Sequence, residues 1–262
     1  MRMFSVFIVA VWVLLAVFSS MLDLRPEQIN LNGILQPPQA SHLLGQDDLG
    51  RSLLHRLLAG GQTSLLVAVS VTTLVAVMGI MIGAFAAWFG GWFEHIVIRI
   101  IDVFMAFPGI LLAIALAGIL GPGLNNLVIA LSVVGWVGFA RLTRAQLLVI
   151  KHRDHIQAAK SLGTPSVVIV GRHLLPLAAA PLMVEATFTI ASVIIAEAGL
   201  SFLGIGIQPP QASWGNMIKD GSRYLLVAPH MVLVPGIALA LVVFAVNQIG
   251  DALRDRFDVK RY

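Results

Sequence analysis

Two glutamates, Glu185 and Glu197, are the only charged residues between His173 and Lys219. A carboxylate in so apolar a run is a functional candidate, because a charge in a bilayer must face water, a counter-charge or a ligand. On a helix their spacing corresponds to about 18 Å of rise and about 120° of rotation, so they do not form one site. Glu185 lies about 12 Å from the inner end of its helix. It can pair with a cationic amine on a solute or make a buried structural hydrogen bond. Glu197, near the outer end, can face a polar pathway or cap a loop. Both are candidates for lining a polar path.

Enzymatic chemistry has little to stand on. None of Lys151, Lys160, Lys219 and Lys260 follows a glycine, so the chain has no Gly-Lys phosphate-cradling loop of its own. Glu94-His95 is adjacent and in the wrong order for a His-Glu-x-x-His zinc site. His152 and His155 flank Asp154 in a basic segment, which is too little for a metal centre. Gly199-Leu200-Ser201-Phe202 lacks the closing glycine of a serine nucleophile motif. Zero cysteines remove disulfides, thiolate metal sites and Cys nucleophiles together. No catalytic residue, metal site or bound cofactor is expected in this chain.

The elements that carry these residues follow from composition. Only 11% of the 262 residues are charged and 58% are apolar, against about 25% charged in a soluble domain. A soluble globule and a disordered chain are both excluded. The net charge of +4 is too small to suggest nucleic acid. The fold class is all-α: a polytopic membrane protein of about six transmembrane helices. Residues 1–22 form a first helix near Phe4–Met21, read as an uncleaved anchor rather than a signal peptide cut near Val17-Phe18-Ser19. Residues 23–62 form an extracytoplasmic loop in which Arg51–Leu58 is an amphipathic helix lying along the interface. Residues 63–250 hold spans near 64–88, 96–120, 127–142, 177–202 and 231–250, with a loop at 143–176. Residues 251–262 are a cytoplasmic tail. Pro108 should kink the third span, and Gly79 and Gly83 form a small-xxx-small packing pair.

Orientation follows from Lys and Arg. With the N-terminus inside, Arg2, Arg99, Arg141, Arg144, Lys151, Arg153, Lys160, Arg172, Arg254, Arg256, Lys260 and Arg261 lie inside. Arg25, Arg51, Arg56, Lys219 and Arg223 lie outside, completing the 17. Both termini are expected in the cytoplasm. The loop at 143–176 reads as helix, turn, helix. Gly163 suits a left-handed terminator, and Thr164 an N-cap with Pro165 at the first helical position. Ala158 and Ala159 are small enough to dock closely into a partner's groove; a plain solvated loop would use the same residues. On the outer side Asp47, Asp48, Arg51 and Trp214 are candidates for docking a partner.

Gln157-Ala158-Ala159-Lys160 with Gly163 and Leu175-Pro176 resembles the "EAA" loop of ABC-importer permeases, with Gln157 where that loop usually has Glu. The dipeptide, oligopeptide and nickel branch of that family is similar at His42–Arg51, Ala106-Phe107-Pro108, Leu120–Leu124, Ala196–Gly204, Trp214–Ile218 and Gly250–Asp255. Two features depart from it: the longer cytoplasmic N-terminal extension is missing, and Ser52 stands where Asp is frequent. The resemblance implies a type I permease fold in a bacterial inner membrane and a half-channel paired with a second, homologous permease. Two ATPase subunits that bind ATP and Mg would dock at Gln157, Ala158, Ala159, Lys160, Gly163 and Pro176, and an extracytoplasmic solute-binding protein would deliver the cargo. Membrane lipid is the remaining partner. Dipeptides or oligopeptides are the expected cargo, with nickel or a metal chelate as the alternative. A stand-alone secondary transporter or channel is the reading from a different class; it would carry ion-coupling carboxylates at broken helices.

Overall fold

A computed structural model describes residues 2–258, so Lys260, Arg261 and the end of the tail lie outside the described residues. The architecture is all-α. Helix α1 is Arg2–Phe18, α2 is Leu53–Phe89, α3 is Gly91–Ala106, α4 is Gly109–Leu120 and α5 is Leu124–Ile150. A short α6, Asp154–Ser161, precedes a single turn, α7, at Ser166–Val168. A π segment at Ile169–Leu174 then runs into α8, Leu175–Phe202. Helices α9, Trp214–Ser222, and α10, His230–Asp258, complete the chain. Among the described residues, four helices are long and apolar enough to cross a membrane: α2, α5, the continuous run 166–202 that ends in α8, and α10. A fifth span results if α3 and α4 count as one, and α1 is apolar but 17 residues long.

Three expectations from the sequence need correction. The interfacial helix at Arg51–Leu58 does not exist as a separate element. Ser52 caps α2 by accepting from the His55 backbone N–H, and Leu53–Leu58 are the first turns of that 37-residue helix. Leu53 and Arg56 are almost fully buried there, so packing within the protein replaces contact with the membrane surface.

The third span is broken rather than kinked: α3 and α4 meet at 87°. Pro108 has no N–H and forces Phe107 into extended backbone, at φ −103° and ψ 140°. Two contacts show how α3 then runs. Glu94 meets Arg144 of α5, and Met105 meets Arg141. Eleven residues of α3 advance about 16 Å while the contact on α5 moves about 4.5 Å, so α3 crosses α5 near its lower end. Of the two, α4 is the one that runs beside α5. The third correction concerns the loop at 143–176, where Thr164 is not a cap. Pro165 precedes α7 at the cap position, in extended backbone.

The core is the pairing of α2 with α5, the most extensive in the molecule. A Cβ on Gly79 would sit 2.5 Å from the Trp136 carbonyl oxygen, and one on Gly83 would sit 2.4 Å from that of Ala140. The two backbones therefore touch, and the small-xxx-small pair is what allows it. Trp136 also meets Phe104 edge-on at 5.6 Å, which ties in α3. Helix α10 packs on α8, α9 and α1. Arg2 and Asp255 pair at 2.6 Å, placing the start of α1 and the end of α10 on one side of the molecule.

The close approach makes a direct prediction. Gly79→Val or Gly83→Val should lower the midpoint of thermal unfolding of the detergent-solubilised protein, at a cost of about 1–3 kcal/mol each from overpacking. Gly118→Ala, which meets nothing within 4 Å, should leave that midpoint unchanged.

Candidate functional site

The functional residues fall at three levels along the helix axes. At the end where α5 closes lies α6. Asp154 in its first turn and Lys160 in its last complement the helix dipole. Buried Ile156 anchors one face, while Gln157, Ala158 and Lys160 are exposed and Ala159 is half-buried. The helix ends in a Schellman motif: Gly163 N–H donates to Lys160, Thr164 N–H donates to Ala159 at 3.1 Å, and Gly163 has φ +78°. A residue with a side chain is strained at that φ, so the glycine is required by conformation. Leu162 and Val167 flank it, both more than 80% exposed.

The loop is wired into the helix pair behind it. Gln157 Nε2 donates to the Lys151 carbonyl at 2.8 Å, and Lys151 Nζ donates to the Ala87 carbonyl at the end of α2 at 3.0 Å. An ionised Glu at 157 could not donate, so here the amide makes a bond that the usual residue would not. Arg144 and Glu94 clamp α3 to the same end. On the other side the π segment joins the loop to α8. Pro176 has no N–H, and a wider turn just before it, with Leu175 N–H donating to Val170, absorbs the misfit.

At mid-height, α2, α4, α5 and α8 enclose an open cleft of about 630 Å³. Its walls include Val75, Ala113 and Val134, and the polar groups on it are Glu185, Thr189 and Ser192. Glu185 is half-buried, and its Oε1 rests against Gly138, where a Cβ would lie 2.8 Å away.

Glu197 is not on this cleft. It is fully buried, accepting from Ser64 of α2 and from Ser201, each at 2.9 Å. Ser201 Oγ also accepts from Ile207 N–H at 3.2 Å, and Asn216 of α9 donates to the Ile207 carbonyl. Through Ser201, Glu197 is thus linked to the loop that follows α8.

The outer docking candidates are mostly beneath the surface. Asp47 is 3% exposed, Arg51 8% and Trp214 3%. Asp47 accepts from Arg51 N–H at 2.8 Å and Arg51 Nε at 2.7 Å, and faces Arg56 Nε at 3.5 Å. Arg56 reaches Asp220 of α9 at 4.0 Å. Trp214 Nε1 donates to Leu57, and its ring lies 6.2 Å from Trp12. Asp48 keeps partial exposure; burial, then Asp47 and Asp220, push its carboxyl above the ordinary range. These residues bind the loop to α2 and α9 rather than forming a contact surface themselves. Arg56, Ser64 and Asn216 were not singled out from the sequence. Arg56 carried the one available signal, an arginine at the start of a leucine-rich helix.

An open cleft above an exposed, tethered loop helix, in a bundle of membrane-length helices, fits a permease subunit of an ABC importer. The chain belongs to the family described as the binding-protein-dependent transport system inner membrane component, which matches residues 79–261. ATP hydrolysis in that family resides in separate subunits. The chain is 38% identical over 254 residues to the dipeptide transport system permease protein DppC of Alkalihalophilus pseudofirmus, covering 97% of this chain and 84% of that one. It is 40% identical over 223 residues to the glutathione transport system permease protein GsiD of Pectobacterium atrosepticum, covering 85% and 74%. Its fold is similar to a chain of the inward-facing methionine ABC transporter MetNI, with a TM-score of 0.59 at 21% identity, covering 77% of this chain and 97% of that one.

Substitutions in the loop should separate transport from assembly. Gly163→Pro, which cannot adopt φ +78°, and Ala158→Trp should abolish ATP-driven uptake while the chain still inserts and retains its ATPase partners on co-purification. Normal uptake by these variants with the ATPases bound would show that α6 does not couple those subunits to transport.

Proposed function

We propose that this chain forms half of the translocation pathway of an ATP-driven importer of short peptides, working with a second permease, two ATPase subunits and a solute-binding protein. The observation that carries the reading is the loop helix α6, exposed on one face and wired through Gln157 and Lys151 to the α2–α5 pair. The ATPases dock on Gln157, Ala158, Ala159, Lys160 and the Gly163 turn. Their closure displaces α6, and the π segment before Pro176 passes that displacement to α8. Because α8 carries Glu185, the motion reaches the cleft directly. Glu185 lines the path, and Glu197 keeps its outer wall together. The binding protein meets the outer face, whose shape Asp47, Asp48, Arg51 and Trp214 maintain. The peptide cargo is supported by similarity to a dipeptide and a glutathione permease over most of the chain. Both termini and α6 face the cytoplasm, as the excess of Lys and Arg there favours.

Two measurements test this. In proteoliposomes, uptake of dialanine should require ATP, the ATPase subunits, the second permease and the binding protein together; uptake by this chain alone would establish a stand-alone transporter instead. Because the chain has no cysteine, Leu226→Cys and Leu162→Cys give single reporters at positions 98% and 85% exposed. An impermeant maleimide should label the first on intact spheroplasts and the second only after permeabilisation; the opposite pattern would reverse the orientation.

A further inference from the structure

The cleft between α2, α4, α5 and α8 holds a carboxylate that the fold does not use. Among the described residues no side chain hydrogen-bonds or ion-pairs with Glu185, whereas both oxygens of Glu197 are engaged. Arg141, about one turn further down α5 than Gly138, is the charge that acts on Glu185, but it does not pair with it. A free carboxylate facing lipid tails is costly, which favours water or protein on the open side of the cleft. Glu185, Thr189 and Ser192 follow at helical spacing and form one polar stripe on an otherwise apolar wall. The volume of about 630 Å³ lies within the range of about 300–1,000 Å³ of small-molecule sites.

We infer that this stripe is a transit subsite for the protonated amino terminus of a peptide. Glu185 accepts the ammonium group, and the Thr189 and Ser192 hydroxyls meet the amide groups that follow it. The subsite rests on the peptide reading above and adds to it the chemical group the membrane domain recognises. Glycine at 138 leaves room for the carboxylate, since a Cβ there would press on Oε1. The half-exposed position of Glu185 suits transit: a site on a conduction path must be favourable enough to enter and weak enough to leave. A fully buried, fully paired carboxylate such as Glu197 could not release a charged cargo.

The test uses the complete importer in proteoliposomes with binding protein saturated by dialanine or by N-acetyl-dialanine, its loading with each checked separately. Glu185→Gln should lower the rate of dialanine import at least about tenfold, the lower end of what a hydrogen bond to a charged group is worth. Glu185→Asp, which keeps the charge, should stay within about threefold of the wild type, about 0.65 kcal/mol. N-acetyl-dialanine, which has no ammonium, should move at equal rates in the wild type and Glu185→Gln. Wild-type dialanine import by Glu185→Gln would overturn the subsite and leave the peptide reading intact. So would loss of the partner permease from Glu185→Gln but not Glu185→Asp on co-purification, which would assign the carboxylate to the subunit contact. Failure of the wild-type importer to move any peptide would overturn the peptide reading itself, and the subsite with it.

Discussion

At Gly83 a single methyl group would come within 2.4 Å of a carbonyl oxygen on the neighbouring helix. That approach, repeated one turn away at Gly79, makes α2 and α5 one rigid body. In a bilayer there is no hydrophobic drive between helices, and close backbone contact is what holds them. Everything functional attaches to this pair. The loop helix α6 hangs from the end of α5 and is tied back through Lys151 to the end of α2. The cleft is walled by both helices and by α4 and α8. At the other end, Ser64 of α2 carries the bond to Glu197, and Arg56 of α2 sits in the outer charge cluster. In the proposed mechanism a movement imposed on α6 meets this tightly packed pair, and α8, joined to the loop through the π segment, carries the displacement to the cleft.

Charge is handled in two opposite ways within the same helix. Glu197 is enclosed and satisfied by hydroxyls from α2 and α8, so it stabilises the outer junction and takes no part in the cleft. Glu185, three turns below, lines the open cleft and has no hydrogen-bond partner among the described residues. The outer loop repeats the first solution on a larger scale. Asp47 receives two backbone N–H groups, from Leu49 and Arg51, and faces two guanidinium groups, and Arg51 and Arg56 are buried with it. Burying such charges is unfavourable unless each finds partners, and removing one would strand the others. The loop between α1 and α2 therefore gains a defined shape without a strand ladder or a disulfide.

Much of this was legible before any coordinates. The apolar runs gave the helices their places because a bilayer leaves backbone groups no partner outside the helix. Gly163 signalled its own conformation, and its Schellman motif bears that out. Pro108 marked the break, but its size was not legible. A proline can kink a helix or end it, and the 87° turn depends on Phe107 taking extended backbone and on α3 finding contacts across α5. Leu53–Leu58 read as a surface helix because leucines on one face and charges on the other look the same whether the apolar face meets lipid or protein. Arg56 turned out to be covered because Asp47, in the loop just before α2, and Asp220, distant in sequence, both reach it in the fold.

Residue type and local spacing determined the all-α membrane class, the basic loop carrying α6, the glycine turn that ends it and the absence of any phosphate-binding loop. These are short-range matters: helix periodicity, hydropathy and the φ a glycine permits. Tertiary structure alone decided which of two glutamates is free and which is sealed. Glu185 and Glu197 share one helix and one chemistry, and nothing within a few residues of either tells them apart. The difference is made by Ser64, 133 residues away from Glu197 along the chain, and by the cleft that α2, α4 and α5 leave open beside Glu185. Burial and partnership are properties of the packed molecule, set by long-range contacts that local sequence does not encode.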